Sequence, residues 1–152
     1  MDREKTTYLI RAGIIAAIYF VLTVVLEPIS FGAVQFRISE AMTILPFYMP
    51  EAVPGLFIGC FIANIFGGLG LIDIFFGSLT TLMAAYITSK APNKYIAVLP
   101  PILLNAFIVS IWVSKFSHLP YIVAAGTIGF GEFISAGILG IILAAVFERV
   151  AK

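Results

Sequence analysis

Apolar residues run through this chain in six blocks, and none of the blocks carries a polar face. A helix on the surface of a soluble domain keeps one apolar stripe and one polar side. Segments that are apolar all round belong in lipid. The blocks read as helices over Tyr8–Leu26, Ile38–Met49, Pro54–Phe66, Leu71–Ser89, Tyr95–Val113 and Tyr121–Phe147. Pro54 falls in a first turn, where its missing N–H costs nothing. Pro46 lies inside the second segment and should kink or end it. The turn GGLG separates the third segment from the fourth. The second and third segments are short: about a dozen residues at ~1.5 Å each cover ~18 Å of a ~30 Å hydrocarbon core. They read either as crossings or as a re-entrant hairpin, and short segments interrupted by glycine or proline point to a binding site.

Composition agrees with lipid as the solvent. The chain is 61% hydrophobic and 11% charged, too few charges to coat a soluble bundle. Six segments use up nearly all of its 152 residues. The expected fold is therefore an all-α integral membrane protein, a compact bundle of six transmembrane helices forming a single domain over residues 1–152. Tyr8–Leu26 is too long for a signal-peptide core, and no small-residue cleavage site follows it. With a cytoplasmic N-terminus, Arg3, Lys5, Arg11, Lys90, Lys94, Arg149 and Lys152 lie inside and only Arg37 and Lys115 outside. The positive-inside rule then places both the N- and C-termini in the cytoplasm. The single cysteine, Cys60, excludes an intrachain disulfide and a cysteine metal cluster, and reads as packing.

Against this background each intramembrane polar residue is a site candidate. Arg37 and Glu40 are three apart and share a helix face, with Gln35 beside them. As a bare ion pair they would satisfy each other, with Ser39 as N-cap and Glu40 favoured by the helix dipole. Asn64 lies near the outer end of the third segment, Asp73 in the first turn of the fourth and Asn105 in the middle of the fifth. Dipole complementation would explain Asp73, and interhelical hydrogen bonding the two asparagines. Glu132 falls in the outer third of the sixth segment, counting about twenty residues back from Phe147. A buried carboxylate without a partner is costly. Gly129 and Gly131 leave room beside it for something flat. Together Gln35, Arg37, Glu40, Asn64, Asp73, Asn105 and Glu132 describe an outward-opening pocket over an apolar floor. Its chemistry suits a small, cationic ligand rich in N–H donors. Phe36, Phe47, Phe107, Trp112 and Phe130 are stacking candidates, although Trp112 reads rather as an interfacial belt residue. Glu51, in the inner turn MPEAVPG, is expected to face water.

Ala12 and Ala16 form a small-xxx-small face on the first helix, with Gly13 and Ala17 beside them. Gly55 and Gly59 form a second such face. Each suits close packing, within the bundle or against a partner. No G-x-x-x-x-G-K-[ST] or H-E-x-x-H motif is present, and His118 lies in an outer loop. No nucleophile–base pair and no basic patch are visible. The reading is of a non-enzyme with no catalytic residues, no metal and no cofactor, and without affinity for nucleic acid.

The stretches VQFRISEAMTILPFYMPEAVPGLFIGCFIAN and GGLGLIDIFFGSLTTLMAAYITS resemble the QueT-type substrate-binding subunits (S components) of energy-coupling factor transporters, and the likeness covers nearly the full length. The resemblance implies a six-helix subunit of a bacterial cell membrane that captures a queuosine precursor, 7-aminomethyl-7-deazaguanine, from outside. Its implied partners are a transmembrane coupling subunit and two ATP-binding cassette ATPases, with Ala12 and Ala16 facing the coupling subunit. It also implies that the loop at about Glu27–Phe36, with Gly32 as its flexible point, closes over the ligand. An S component for another vitamin-like molecule, a stand-alone ion-coupled transporter and a small membrane enzyme are the competing readings.

Overall fold

The apolar blocks fold as helices, and their ends are set by local chemistry. The structure is a computed structural model that describes residues 2–31 and 35–150. Gly32 lies outside the described residues. Four helices are long and apolar enough to cross a membrane: α1 (Arg3–Val25), α4 (Gly70–Thr88), α5 (Lys94–Phe116) and α6 (Tyr121–Val150). Two shorter ones, α2 (Ile38–Phe47) and α3 (Ala52–Phe66), connect α1 to α4. No strand occurs among the described residues.

Several boundaries move outward from those read in the sequence, with α1 starting at Arg3 and α5 and α6 ending at Phe116 and Val150, while α2 ends earlier, at Phe47. Polar residues continue a helix when its backbone is satisfied there. α5 starts at Lys94 because the Asn93 side chain accepts the N–H groups of Tyr95 and Ile96. In the GGLG turn, Gly68 and Gly70 take φ of +70° and +78°, a region open to glycine. Part of the expected loop after α1 is helical: Glu27–Ser30 forms one turn, with Pro28 near its start.

α2 departs from the expected helix in kind. It is a ten-residue 3₁₀ helix, where runs beyond three or four residues are uncommon. Three residues per turn line up Arg37, Glu40, Thr43 and Pro46 along one edge. The ~2.0 Å rise stretches ten residues over roughly 20 Å, further than an α-helix would reach. α2 touches each of the other five helices, and Ser39, Glu40 and Met42–Pro46 are buried.

α1 and α3 share the most extensive contact, and it is backbone on backbone. A Cβ at Gly55 would lie 2.8 Å from the Ala12 carbonyl oxygen, and one at Gly59 2.8 Å from that of Ala16. The two small-residue faces therefore meet each other. Ala12 and Ala16 are buried in the chain's own core with Ile15, Leu56 and Cys60, the packing within the bundle that such a face suits. Cys60 is core packing, as expected. A second core joins α2, α5 and α6 through Ile44, Ala97, Val98 and Ala144.

The exterior is the reverse of a soluble protein's. Exposed positions include Ile14, Ile18, Phe75, Phe76, Ile111, Ile122 and Ile142, while Glu40, Asn64, Asp73, Asn105 and Glu132 are inside. Such a surface is stable in hydrocarbon and not in water. The first turns of α1 and the last of α6 lie at one end, where Arg11, Tyr48, Glu51 and Val150 line a groove of about 570 Å³.

Candidate functional site

At the other end, three helices change winding where the polar residues fall. π-helical turns span Asp73–Gly77 in α4, Asn105–Val109 in α5 and Phe133–Leu139 in α6. The first two begin on a predicted site residue, and the third follows Glu132 directly. Single π-turns are rare and concentrate at functional sites. A serine in or just after each returns to the carbonyl four residues earlier: Ser78 to Ile74 at 2.6 Å, Ser110 to Ala106 at 2.6 Å and Ser135 to Gly131 at 2.7 Å.

Asp73 is the best-held group. Its Oδ1 accepts the indole N–H of Trp112 at 3.0 Å, and its backbone carbonyl accepts the Asn64 amide at 3.0 Å. Gly77 makes this possible, since a Cβ there would sit 2.9 Å from Asp73 Oδ1 and 3.0 Å from Asn64 Nδ2. The Arg37 Nη2 stands 3.8 Å from Asp73 Oδ2, an ion pair without a hydrogen bond. Arg37 also donates through Nε to the Ser30 carbonyl at 3.1 Å and lies over the Phe31 ring at 4.7 Å.

Three further pairs complete the site. Asn105 donates to Glu132 Oε1 at 2.9 Å, joining α5 to α6. The buried Tyr19 hydroxyl donates to Glu40 Oε1, and the Thr23 and Ser39 hydroxyls share a bond of 2.7 Å, joining α1 to α2. Gln35 is buried beside Arg37 in sequence, with φ of +45°, a left-handed conformation unusual for its type. All seven predicted residues are buried.

Several expectations need correcting. Arg37 pairs with Asp73, not with Glu40. Ser39 caps nothing; it bonds Thr23. Trp112 is a buried partner of Asp73 and not a belt residue. Phe107 and Phe130 are 59% and 63% exposed and point outward, away from the site. Phe47 packs in the second core. Gly129 serves close helix packing, its Cβ position lying 3.3 Å from the Ala106 methyl. Glu51 is buried, and Arg11 reaches it at 3.0 Å. Desolvation pushes the Glu51 carboxyl up, but its own backbone N–H and Arg11 outweigh that and hold it below its ordinary 4.5. Tyr19 and Thr23 were missed. They share the α1 face of Ala12 and Ala16, at helical spacing, and that periodicity is the signal that finds them.

The site keeps unspent capacity. Buried atoms without a hydrogen-bond partner are Glu40 Oε2, Asn64 Oδ1, Asp73 Oδ2 and Glu132 Oε2, all acceptors, together with Gln35 Nε2, Arg37 Nη2 and Ser30 Oγ. Native interiors leave few such atoms, and here they gather in one region.

Apolar helices outside and a charged, acceptor-rich interior define a multi-pass membrane protein with a polar core. The chain belongs to the QueT transporter family, whose profile matches residues 9–149. It is 28% identical over 168 aligned positions to the Queuosine precursor transporter QueT of Lactococcus lactis subsp. cremoris (strain MG1363), covering 99% of this chain and 98% of that one. No solved structure matched the chain. The protein is thus a transporter of the bacterial membrane and not an enzyme.

Proposed function

We propose that this chain is the substrate-capture subunit of an energy-coupling factor importer and that it binds 7-aminomethyl-7-deazaguanine. The observation that carries the reading is the set of four buried, unpaired acceptors on Glu40, Asn64, Asp73 and Glu132. Three of these residues are carboxylates and, among the described residues, Arg37 is the one buried cation facing them, so a fitting ligand brings N–H donors and positive charge. A deazaguanine offers an N–H and an NH₂ side by side on its ring edge, and its aminomethyl arm carries an ammonium. Glu132, held by Asn105, faces the ring edge. Gln35 supplies a donor for the ring oxygen.

In this reading residues 1–152 are one domain, α2 and α3 complete a bundle of six crossings, and both termini are cytoplasmic. The site then opens outward and the segment at about Glu27–Phe36 closes over it, excluding water and strengthening each polar contact. A transmembrane coupling subunit and two ATPases complete the importer. The α1 face offered to the coupling subunit is the outward flank, where Gly13 has no atom near its missing side chain and Ala17 is exposed. That face stands one position along from the buried Ala12 and Ala16.

Calorimetry on the purified chain tests the substrate. It should bind 7-aminomethyl-7-deazaguanine in preference to guanine and riboflavin, and equal binding of all three would refute the assignment. Glu132→Gln should weaken binding by about 30-fold or more, the cost of truncating one partner of a buried charged contact. Uptake into vesicles driven by an ion gradient, without any ATPase, would favour a stand-alone carrier instead.

A further inference from the structure

We propose that Asp73 is the subsite for the substrate's positively charged group, that Trp112 is its positioning residue, and that Arg37 is the internal counter-ion the ligand displaces. The inference rests on the substrate class proposed above and assigns a part of that site. Asp73 is the carboxylate whose orientation the protein fixes most fully: Trp112 holds Oδ1 at 3.0 Å, Asn64 holds the backbone carbonyl at 3.0 Å, and Gly77 leaves the space into which the side chain folds. These contacts leave Oδ2 as the one free acceptor, buried and without a hydrogen bond.

The group facing Oδ2 is Arg37, and it stops short. At 3.8 Å its Nη2 lies beyond the roughly 2.7–2.9 Å of a charge-assisted hydrogen bond, and that nitrogen too lacks a partner. The guanidinium is held back on its other side by the Ser30 carbonyl and the Phe31 ring. Arg37 therefore neutralises Asp73 without satisfying it. A compact ammonium, free of those tethers, can approach Oδ2 to full hydrogen-bonding distance and replace the longer ion pair. A neutral ligand with the same ring cannot, because it would leave Asp73 without a compensating charge. The arrangement makes charge a condition of entry, a selectivity built from an unpaired alternative.

The test compares two ligands that differ in one group: 7-aminomethyl-7-deazaguanine and its neutral 7-hydroxymethyl counterpart. The parent should prefer the ammonium ligand by about 30-fold or more, the cost of leaving one member of a buried charge pair unmatched. Asp73→Asn should collapse that ratio towards unity while still binding the hydroxymethyl ligand. Trp112→Phe should lower the ratio by about tenfold, the value of one hydrogen bond to a charged group, with the neutral ligand little changed. A merely structural role for Trp112 would weaken both ligands alike. Arg37→Gln should raise affinity for the ammonium ligand; loss of both ligands equally would make Arg37 a direct contact and overturn the displacement. Trp112 is the sole tryptophan, so its fluorescence reports on Asp73 in the unaltered protein. The ammonium ligand should shift that emission and the hydroxymethyl ligand should not. If the parent binds both ligands equally, the Asp73 assignment fails while the deazaguanine reading stands; if it binds neither, both fail.

Discussion

Gly77 has no chemistry of its own, yet it decides where Asp73 points. Gly77→Ala would place a Cβ 2.9 Å from Asp73 Oδ1, and the carboxylate must swing away from Trp112. Substrate affinity should fall by about tenfold in calorimetry, the cost of one charged hydrogen bond, with helix content unchanged by circular dichroism. At the opposite end, Glu51 is held below its ordinary 4.5, so its pairing with Arg11 stabilises the fold above that pH and is lost as pH falls through the lowered value. The parent should therefore melt above Glu51→Gln at about pH 6, and the gap should narrow as pH falls below 4.5. At this scale the sequence showed which residues were out of place in lipid but not whom they met. Arg37 pairs with Asp73, 36 positions away, and not with Glu40 on its own helix face. Local spacing names neighbours along a helix; only the packing of α2 against α4 brings these two charges together.

The elements follow their apolar patterns closely, and their departures fall at the candidate site. α2 reads from its sequence as a short helix broken by Pro46. Burial on all sides instead sustains ten residues of 3₁₀ winding, with Tyr48 anchoring the end of that helix to Glu148 at 2.7 Å. Desolvation, then the hydrogen bond to Glu148 and its charge, push the Tyr48 hydroxyl up to about 12. Lys94 joins the same carboxylate at 2.8 Å, tying α2, α5 and α6 together. The π-turns at Asp73, Asn105 and after Glu132 have no signature in residue periodicity, because one inserted residue leaves an apolar helix apolar. The α1–α3 crossing is more legible, since both glycines and both alanines stand at the spacing close packing needs. Gly59→Val should destabilise the fold by about 1–3 kcal/mol through overpacking against the Ala16 backbone, seen as a lower melting temperature.

For the whole molecule, the proposed ligand site and the proposed coupling face occupy different flanks of α1, about 100° apart. Tyr19 and Thr23 point inward to Glu40 and Ser39, while Gly13 and Ala17 lie on the outside. The two functions should therefore separate by mutation. Gly13→Leu with Ala17→Leu should abolish co-purification with the coupling subunit and leave substrate affinity within about twofold, as expected for changes that touch no ligand contact. A parallel loss of substrate binding would place that face inside the bundle's packing.

The sequence by itself determined the solvent, the helical class and the set of polar residues worth attention. Each of these follows from what hydrocarbon tolerates: continuous apolar surface, internally bonded backbone and few charges. Only the tertiary structure decided how those polar residues combine. It turned Ala12 and Ala16 inward onto Gly55 and Gly59, drew Trp112 from a presumed belt to Asp73, and sent Phe107 and Phe130 outward. Burial and partnership depend on which helix faces come together, and in a chain apolar on every face the pattern alone does not say which way a helix turns.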